Sequence, residues 1–179
     1  MQTEMTSTET GIETPWIRTH TCGELNGTFS GKEVVLSGWV AKRRDHGGLI
    51  FIDLRDRYGI TQLVFDPATS GDAKSKQAAE SLRSEFVISV KGVVRRRPAD
   101  MVNPKIATGE IEISVNELQV LSQAKTTPFV IDDHTDAGEV LRLKYRYLDL
   151  RRPSLQQNLI VRHQTYQVVR KYLSENGFL

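Results

Sequence analysis

Five stretches of this chain alternate apolar and polar residues with a period of two, and glycine, proline and acidic residues punctuate them. Glu33 to Val40 carries Val34, Leu36 and Val40 on one side and Val35 and Trp39 on the other. The Gly-rich Asp45-His46-Gly47-Gly48 then turns the chain into Leu49 to Arg55, and the polar hairpin Asp56-Arg57-Tyr58-Gly59 leads into Ile60 to Phe65. Phe86 to Arg95 and Ile111 to Leu121 repeat the pattern, with Phe86, Ile88, Val90 and Val94 on one face of the former and Ile111, Ile113 and Val115 on one face of the latter. A strand of this kind is apolar on one face only, so the five must curl their apolar faces onto a shared core. Between the third and fourth, after the breaker Asp66-Pro67, the stretch from about Asp72 to Leu82 is dense in Ala, Lys, Gln and Glu. Ala78, Ala79 and Leu82 form its narrow apolar stripe, which predicts one short helix.

The element order β-β-β-α-β-β is that of an all-β five-stranded OB-fold barrel, with a generic β-barrel as the alternative on order alone. Its flanks differ in kind. Residues 1–14 are rich in Thr, Ser and Glu, with no Lys or Arg and no apolar run, so they read as a disordered tail and not as a secretory signal. Order is expected to begin at Trp16. Pro128 opens an extended polar segment with Asp132-Asp133-His134, which reads as a linker. Pro153 precedes a candidate N-cap, Ser154, and Leu155, Leu159, Tyr166, Val169 and Leu173 recur at helical spacing up to Asn176, where Gly177 supplies the stop. The expected divisions are a tail (1–14), a barrel (15–122), a linker or hinge (123–153) and a long C-terminal helix (154–179). The apolar stripe of that helix needs a partner outside this chain, unless the helix folds back on the barrel.

The near-neutral charge, 24 Lys plus Arg against 22 Asp plus Glu, hides an uneven distribution. Without Glu4, Glu9 and Glu13 of the tail, the rest of the chain carries 24 basic against 19 acidic residues. The bases cluster in Lys42-Arg43-Arg44, Arg55 to Arg57, Lys91 to Arg97 and Arg142 to Arg152, which fits either an anionic partner or solvated charged faces. Apolar runs such as Leu49-Ile50-Phe51-Ile52 fall far short of the roughly 18–20 residues that cross a bilayer. The single cysteine, Cys22, excludes an intramolecular disulfide, and with four scattered histidines it argues against a structural zinc and for a reducing cytoplasm. Cys22 reads as inert, and His20, His134 and His163 lack metal-ligand spacing, so none receives a catalytic role.

Parity along the second strand assigns Ile50, Ile52 and Leu54 to the core and turns Leu49, Phe51 and Asp53 the other way. On the third strand Leu63 and Phe65 make the matching choice, so Ile60, Gln62 and Val64 share the outer surface with Phe51. A ring beside a side-chain amide is what reading an unpaired base requires, since the ring stacks and the amide both donates and accepts. The plain alternatives are a Phe51 covered by a loop or by the N-terminal segment, and a Gln62 that is ordinary surface polarity. Arg43, Arg44, Arg95, Arg96 and Arg97 stand around this face with Glu112. Cations serve phosphates, and an acceptor-only carboxylate selects amino groups. His46 reads either as a base-contacting ring or as a turn residue.

From Leu141 to Arg152 the chain reads LRLKYRYLDLRR. Together with Gly38-Trp39-Val40, RRDHGGLIFIDLRDRYG from Arg43 to Gly59, and ATGEIE from Ala107 to Glu112, it closely resembles the N-terminal region of a bacterial aspartyl-tRNA synthetase, over nearly everything from Arg18 to Leu179. The related class II lysyl and asparaginyl enzymes share the barrel and parts of RYLDLR, whereas the arginine-rich first loop and ATGEIE favour the aspartyl enzyme. The resemblance implies a barrel that binds the tRNA anticodon, a linker that passes beside the tRNA, and a mixed α/β catalytic domain to follow. It implies anticodon-contacting roles for Arg44, Phe51, Gln62, Arg97, Asn103 and Glu112. Val64 lies where some relatives carry a second aromatic, so no second stacking platform is expected.

The helix from Ser154 to Asn176 resembles class II motif 1, the dimer-interface helix, which accounts for its unpaired stripe and implies a homodimeric parent enzyme. That enzyme would activate aspartate with ATP and Mg²⁺ as aspartyl-adenylate and pass it to the 3′-terminal ribose of tRNA(Asp), with tRNA(Asn) left open as a second substrate. Since the chain stops inside motif 1, it is expected to bind tRNA without aminoacylating it, and no catalytic, cofactor-binding or metal residue is assigned. The Asp and Asn anticodons, GUC and GUU, differ only in the third base, and His46 in the first barrel loop is expected to tolerate both. The competing readings are a free-standing OB-fold single-strand binder and a dimerisation module.

Overall fold

A computed structural model describes residues 16–66 and 73–179; the expected tail over 1–14 and the breaker at Pro67 lie outside them. Strands β1 (Glu33–His46), β2 (Leu49–Arg55), β3 (Ile60–Phe65), β4 (Val87–Arg96) and β5 (Ile111–Ser122) close into a barrel in the order β1-β2-β3-β5-β4. All neighbours are antiparallel except β3 and β5, whose short parallel pairing, Leu63 with Ile113 and Val64 with Ser114, closes the ring. Period two sets the interior as expected: Val34, Leu36, Ile50, Ile52, Leu54, Leu63, Phe65, Ile88, Val90, Ile111 and Ile113 are all buried. Each such side chain taken out of water contributes about 1.5–3 kcal/mol.

Helix α1 (Ala73–Ser81) adds Ala79 to this core, and Leu82 follows just beyond its end. Ser75 Oγ accepts from the Leu118 amide of β5 at 3.1 Å, while Ala78, expected in the stripe, is only half-buried. Cys22 is buried where its amide donates to Asp56 Oδ2 (2.8 Å) and its carbonyl accepts from Thr61 Oγ1 (2.5 Å). Burial first, then the nearby Asp56 carboxylate, pushes its thiol up and keeps it protonated and unreactive.

Residues Thr126–Leu179 form a second compact unit. Where an extended linker was expected, the chain forms α2 (Glu139–Lys144) and α3 (Arg146–Asp149) around a small cluster of Phe129, Ile131 and Leu148, flanked by Ala137 and Tyr145. Charge density hid this fold. Asp149 is fully buried because Arg152 Nε and Arg146 Nη1 donate to its two carboxylate oxygens at 2.7 and 2.8 Å, so the apparently polar run has an internally paired core.

Helix α4 (Pro153–Glu175) begins one residue before the expected start, with Pro153 at N1, where its missing N–H is no loss. Ser154 is therefore not the N-cap: Arg152 holds that position without a side-chain cap, and the capping carboxylate comes from Asp133, which accepts from both the amide and the hydroxyl of Ser154. At the other end Gly177, with φ +82°, lets the Phe178 amide reach back to the Leu173 carbonyl and its own amide to that of Ser174, a Schellman ending. Along α4, Leu159, Tyr166, Val169 and Leu173 are all exposed.

The Ser154 hydroxyl, then its amide and the Arg152 charge, hold the Asp133 carboxyl below the usual carboxylate range. A depressed folded value means that the cap contributes fully above the ordinary aspartate range and is lost as pH falls through the lower folded value. Protection of the amides of Ser154 and the residues that follow, relative to their intrinsic exchange rates, should therefore fall on acidification and in Asp133→Ala at neutral pH. Equal protection of Ser154 in wild type and Asp133→Ala at pH 7 would remove the cap from the account.

Candidate nucleic-acid interface

A single extra residue in β1 creates the arrangement of side chains on the outer barrel face. Along the first half of β1, Val34, Leu36, Gly38 and Val40 point inward, and continued alternation would send residues 42, 44 and 46 inward too. The register steps instead from Val40 opposite Leu54 to Lys42 opposite Asp53, leaving Ala41 as a bulge. Beyond it Arg44 pairs with Phe51 and His46 with Leu49, so Lys42, Arg44 and His46 share the outer face with Phe51 and Asp53. The strand consequently runs to His46, and only Gly47 and Gly48, both at positive φ, remain as the turn that was expected to begin at Asp45. Arg43 falls on the other parity. It donates from Nε to the Ala79 carbonyl of α1 at 3.2 Å and does not join the face on which the sequence placed it.

Outward parity continues onto β3, where Val64 stands opposite Phe51 and Gln62 opposite Asp53. Both lie on the expected face, yet neither is open surface: Val64 is 3% and Gln62 7% exposed. Phe51 is half-buried, and the His46 ring meets it edge-on, with centroids 5.6 Å apart and an interplanar angle of 74°. Arg44 Nη2 donates to Asp53 Oδ1 at 2.5 Å and to Gln62 Oε1 at 3.3 Å, which ties three strands together on this face. Its Nε is buried with no hydrogen-bond partner among the described residues.

A second cation pair adjoins from β4 and β5. Arg95 lies opposite Glu112, with Nη2 3.7 Å from its carboxylate, and Arg97 Nε lies 3.9 Å from the same carboxylate while donating to the Ile111 carbonyl at 2.9 Å. The Arg97 side chain is only 5% exposed, and its Nη2 has no partner among the described residues. Burial pulls its guanidinium down from the ordinary value; Glu112 and Asp53 oppose that pull, and Arg44 adds to it. Arg97 thus feels Asp53 and Arg44 of the β1–β2 group as well as its neighbour Glu112.

Arg96, grouped with them in the sequence, has the opposite parity and donates from Nε to the Gly27 carbonyl instead. Asn103 sits in the β4–β5 loop. Its side-chain oxygen accepts from the Lys105 amide, and its own amide donates to the Gly109 carbonyl. A Cβ on Gly109 would lie 1.8 Å from the Asn103 carbonyl, so the loop closes only around glycine. Among the described residues, no hydrogen bond, ion pair or ring contact joins Asn103 to the other candidates.

Of the seven candidates, then, Arg44, Phe51, Gln62 and His46 are brought together directly, Arg97 and Glu112 stand beside them, and Asn103 is held separately on its loop. The residue that sequence reasoning left out of the site is Asp53. Its parity was read correctly, but its contact with Arg44 depends on the bulge. The face combines a ring, an amide, a carboxylate and buried guanidinium groups that keep donors unspent, which suits it to a base edge and its phosphates.

Comparison with known proteins adds family and extent. Residues 34–121 match the model of the OB-fold nucleic acid binding domain, and residues 138–179 match that of tRNA synthetases class II (D, K and N). The aspartate–tRNA(Asp/Asn) ligase of Syntrophotalea carbinolica is 56% identical over 164 residues, 92% of this chain and 27% of the relative. That of Protochlamydia amoebophila is 60% identical over 163 residues, 90% of this chain and 27% of the relative. The chain thus spans about a quarter of the length of the curated relatives it matches. Among solved structures, asparaginyl-tRNA synthetase from Pyrococcus horikoshii complexed with asparaginyl-adenylate superposes with a TM-score of 0.75 at 28% identity, over 90% of this chain and 35% of that one. Aspartyl tRNA synthetase from Entamoeba histolytica shares the fold with a TM-score of 0.82 at 18% identity, over 99% of this chain and 41% of that one.

Proposed function

The chain belongs to the class II aspartyl-tRNA synthetase family, and from that premise we propose that its barrel binds the anticodon loop of tRNA(Asp), and of tRNA(Asn), for an enzyme that attaches aspartate to both. One observation carries the reading: Phe51 stands on the outer face of an OB-fold barrel with Arg44, Gln62 and His46 around it and Arg97 with Glu112 beside it. In this reading an unpaired base stacks on Phe51, the amide and carboxylate select among base edges, and the guanidinium groups meet phosphates. Asn103 contributes from the β4–β5 loop.

The divisions at 15–122 for the anticodon domain, 123–153 for the hinge and 154–179 for the start of the catalytic domain belong to the same proposal, as do a homodimer through α4 and a place in the cytoplasm. No helix among the described residues is long and apolar enough to cross a membrane. ATP and Mg²⁺ would serve the activation step of the whole enzyme. Among the described residues no three His, Cys, Asp or Glu side chains are gathered as cation ligands.

His46 supports the dual specificity named in the relatives. An imidazole offers a donor or an acceptor according to its tautomer, so one ring can face either the amino group of C or the carbonyl of U at the third anticodon position. Leucine offers neither. The chain should bind an anticodon stem-loop carrying GUC at least tenfold more tightly than an unstructured oligonucleotide of equal length; equal binding would favour a general single-strand binder. With a GUU stem-loop as the third ligand, His46→Leu should shift the GUC to GUU affinity ratio toward GUC. An unchanged ratio would remove His46 from discrimination.

A further inference from the structure

We propose that Asp53, a residue with no assigned role, is the positioning residue that fixes which way the Gln62 amide faces and therefore which base edges this surface accepts. The proposal rests on the anticodon-binding reading above. Arginine has five donors and no acceptor, so the amide atom of Gln62 that faces Arg44 Nη2 at 3.3 Å has to be the oxygen. The NH₂ end is then the one presented, and it takes no hydrogen bond among the described residues. An NH₂ donor pairs with a base carbonyl or ring nitrogen and is left opposite another donor when an exocyclic amino group takes that place.

This selection holds only while Arg44 keeps its orientation. Asp53 supplies the orientation through a charge-assisted bond from the same Nη2, at 2.5 Å, and its side chain is only 20% exposed. It stands directly opposite Gln62 on one side and Lys42 on the other, so it is the acidic group at the centre of the row. Asp53 and Arg44 also act in opposite senses on Arg97, the carboxylate favouring its charge and the guanidinium opposing it.

Asp53→Asn keeps the shape and removes the charge. The charge-assisted bond to Arg44 is then reduced to a neutral one at most, the Gln62 amide is freer to present either end, and the net charge of the face rises by one. The test uses the GUC stem-loop and two variants in which a carbonyl oxygen is replaced by an amino group, G→A at the first position and U→C at the second. Wild type should discriminate against at least one variant by about 5- to 150-fold, the range of a single mismatched contact. In Asp53→Asn that ratio should fall to within about threefold, while affinity for an unstructured oligonucleotide rises and its salt dependence steepens by about one unit.

A ratio retained in Asp53→Asn overturns the role of Asp53, whatever happens to the salt dependence. A wild type that discriminates against neither variant overturns the anticodon reading itself, so the two failures are distinguishable. Asp53→Glu, which keeps the charge within reach of Arg44, should retain the ratio and covers an Asp53→Asn chain that does not fold. Loss of discrimination in a folded Asp53→Glu protein would also count against the proposal.

Discussion

Phe51→Ala should weaken binding of an anticodon stem-loop by about 5- to 150-fold, the equivalent of about 1–3 kcal/mol for one base stacked on an aromatic ring. The barrel should survive this change. Phe51 faces outward from β2 while its neighbours Ile50 and Ile52 are fully buried, so truncating it opens no cavity in the core. The melting temperature should therefore move little while affinity falls, a split that a core residue could not produce. Phe51→Trp keeps a π-face and should retain most of the affinity. Isothermal titration of both variants with one stem-loop is sufficient, and an alanine variant with wild-type affinity would take Phe51 out of the interface.

Asp149→Ala should destabilise the 126–179 unit by about 3–5 kcal/mol, the range for removing one partner of a buried ion pair. The carboxylate is fully buried and is held by Arg152, itself nearly buried, and by Arg146. Its loss leaves the Arg152 guanidinium, among the described residues, with Asp133 alone as a carboxylate partner, 3.7 Å away. The unit has a small apolar core of Phe129, Ile131 and Leu148, so it has little stability to spare. Amide protection over α2 and α3 should collapse, and trypsin should cut after Arg142, Lys144 and Arg146, while the barrel amides stay protected as an internal control. Intact protection of α2 and α3 in Asp149→Ala would contradict the account. Replacing Asp149 and Arg152 together by leucine should recover much of the loss, because the half-exposed Arg146 is solvated and no buried charge is left without its counterion.

Much of the barrel was legible because alternation is a local signal. β2 and β3 have the expected limits, and Ile50, Ile52, Leu54, Leu63 and Phe65 are core by parity alone. The far end of β1 was not legible, since a bulge interrupts the very period from which strands are read, and a run such as Lys42-Arg43-Arg44-Asp45-His46 resembles a loop when alternation fails. The sequence also grouped Arg43 with Arg44 and Arg96 with Arg95 and Arg97 as charge runs without regard to parity, whereas the strands separate them by face. The 123–153 region read as a linker because its few apolar residues are scattered among charges. Only their arrangement in space shows that the charges pair with one another around a buried aspartate.

By itself the sequence determined the element order of the barrel, the inner faces of its strands up to Val40 of β1 and along β2 to β5, the helix after Pro153 and the family, all of which depend on residue type and spacing along the chain. Only the tertiary structure decided which cations share a face with Phe51, that Gln62 and Val64 are covered and not open, that Asp133 caps α4, and that Asp53 holds Arg44. Each of these depends on strand register or on residues distant in sequence meeting across the fold. One extra residue at Ala41 shifts the register, and every β1 side chain after it changes sides.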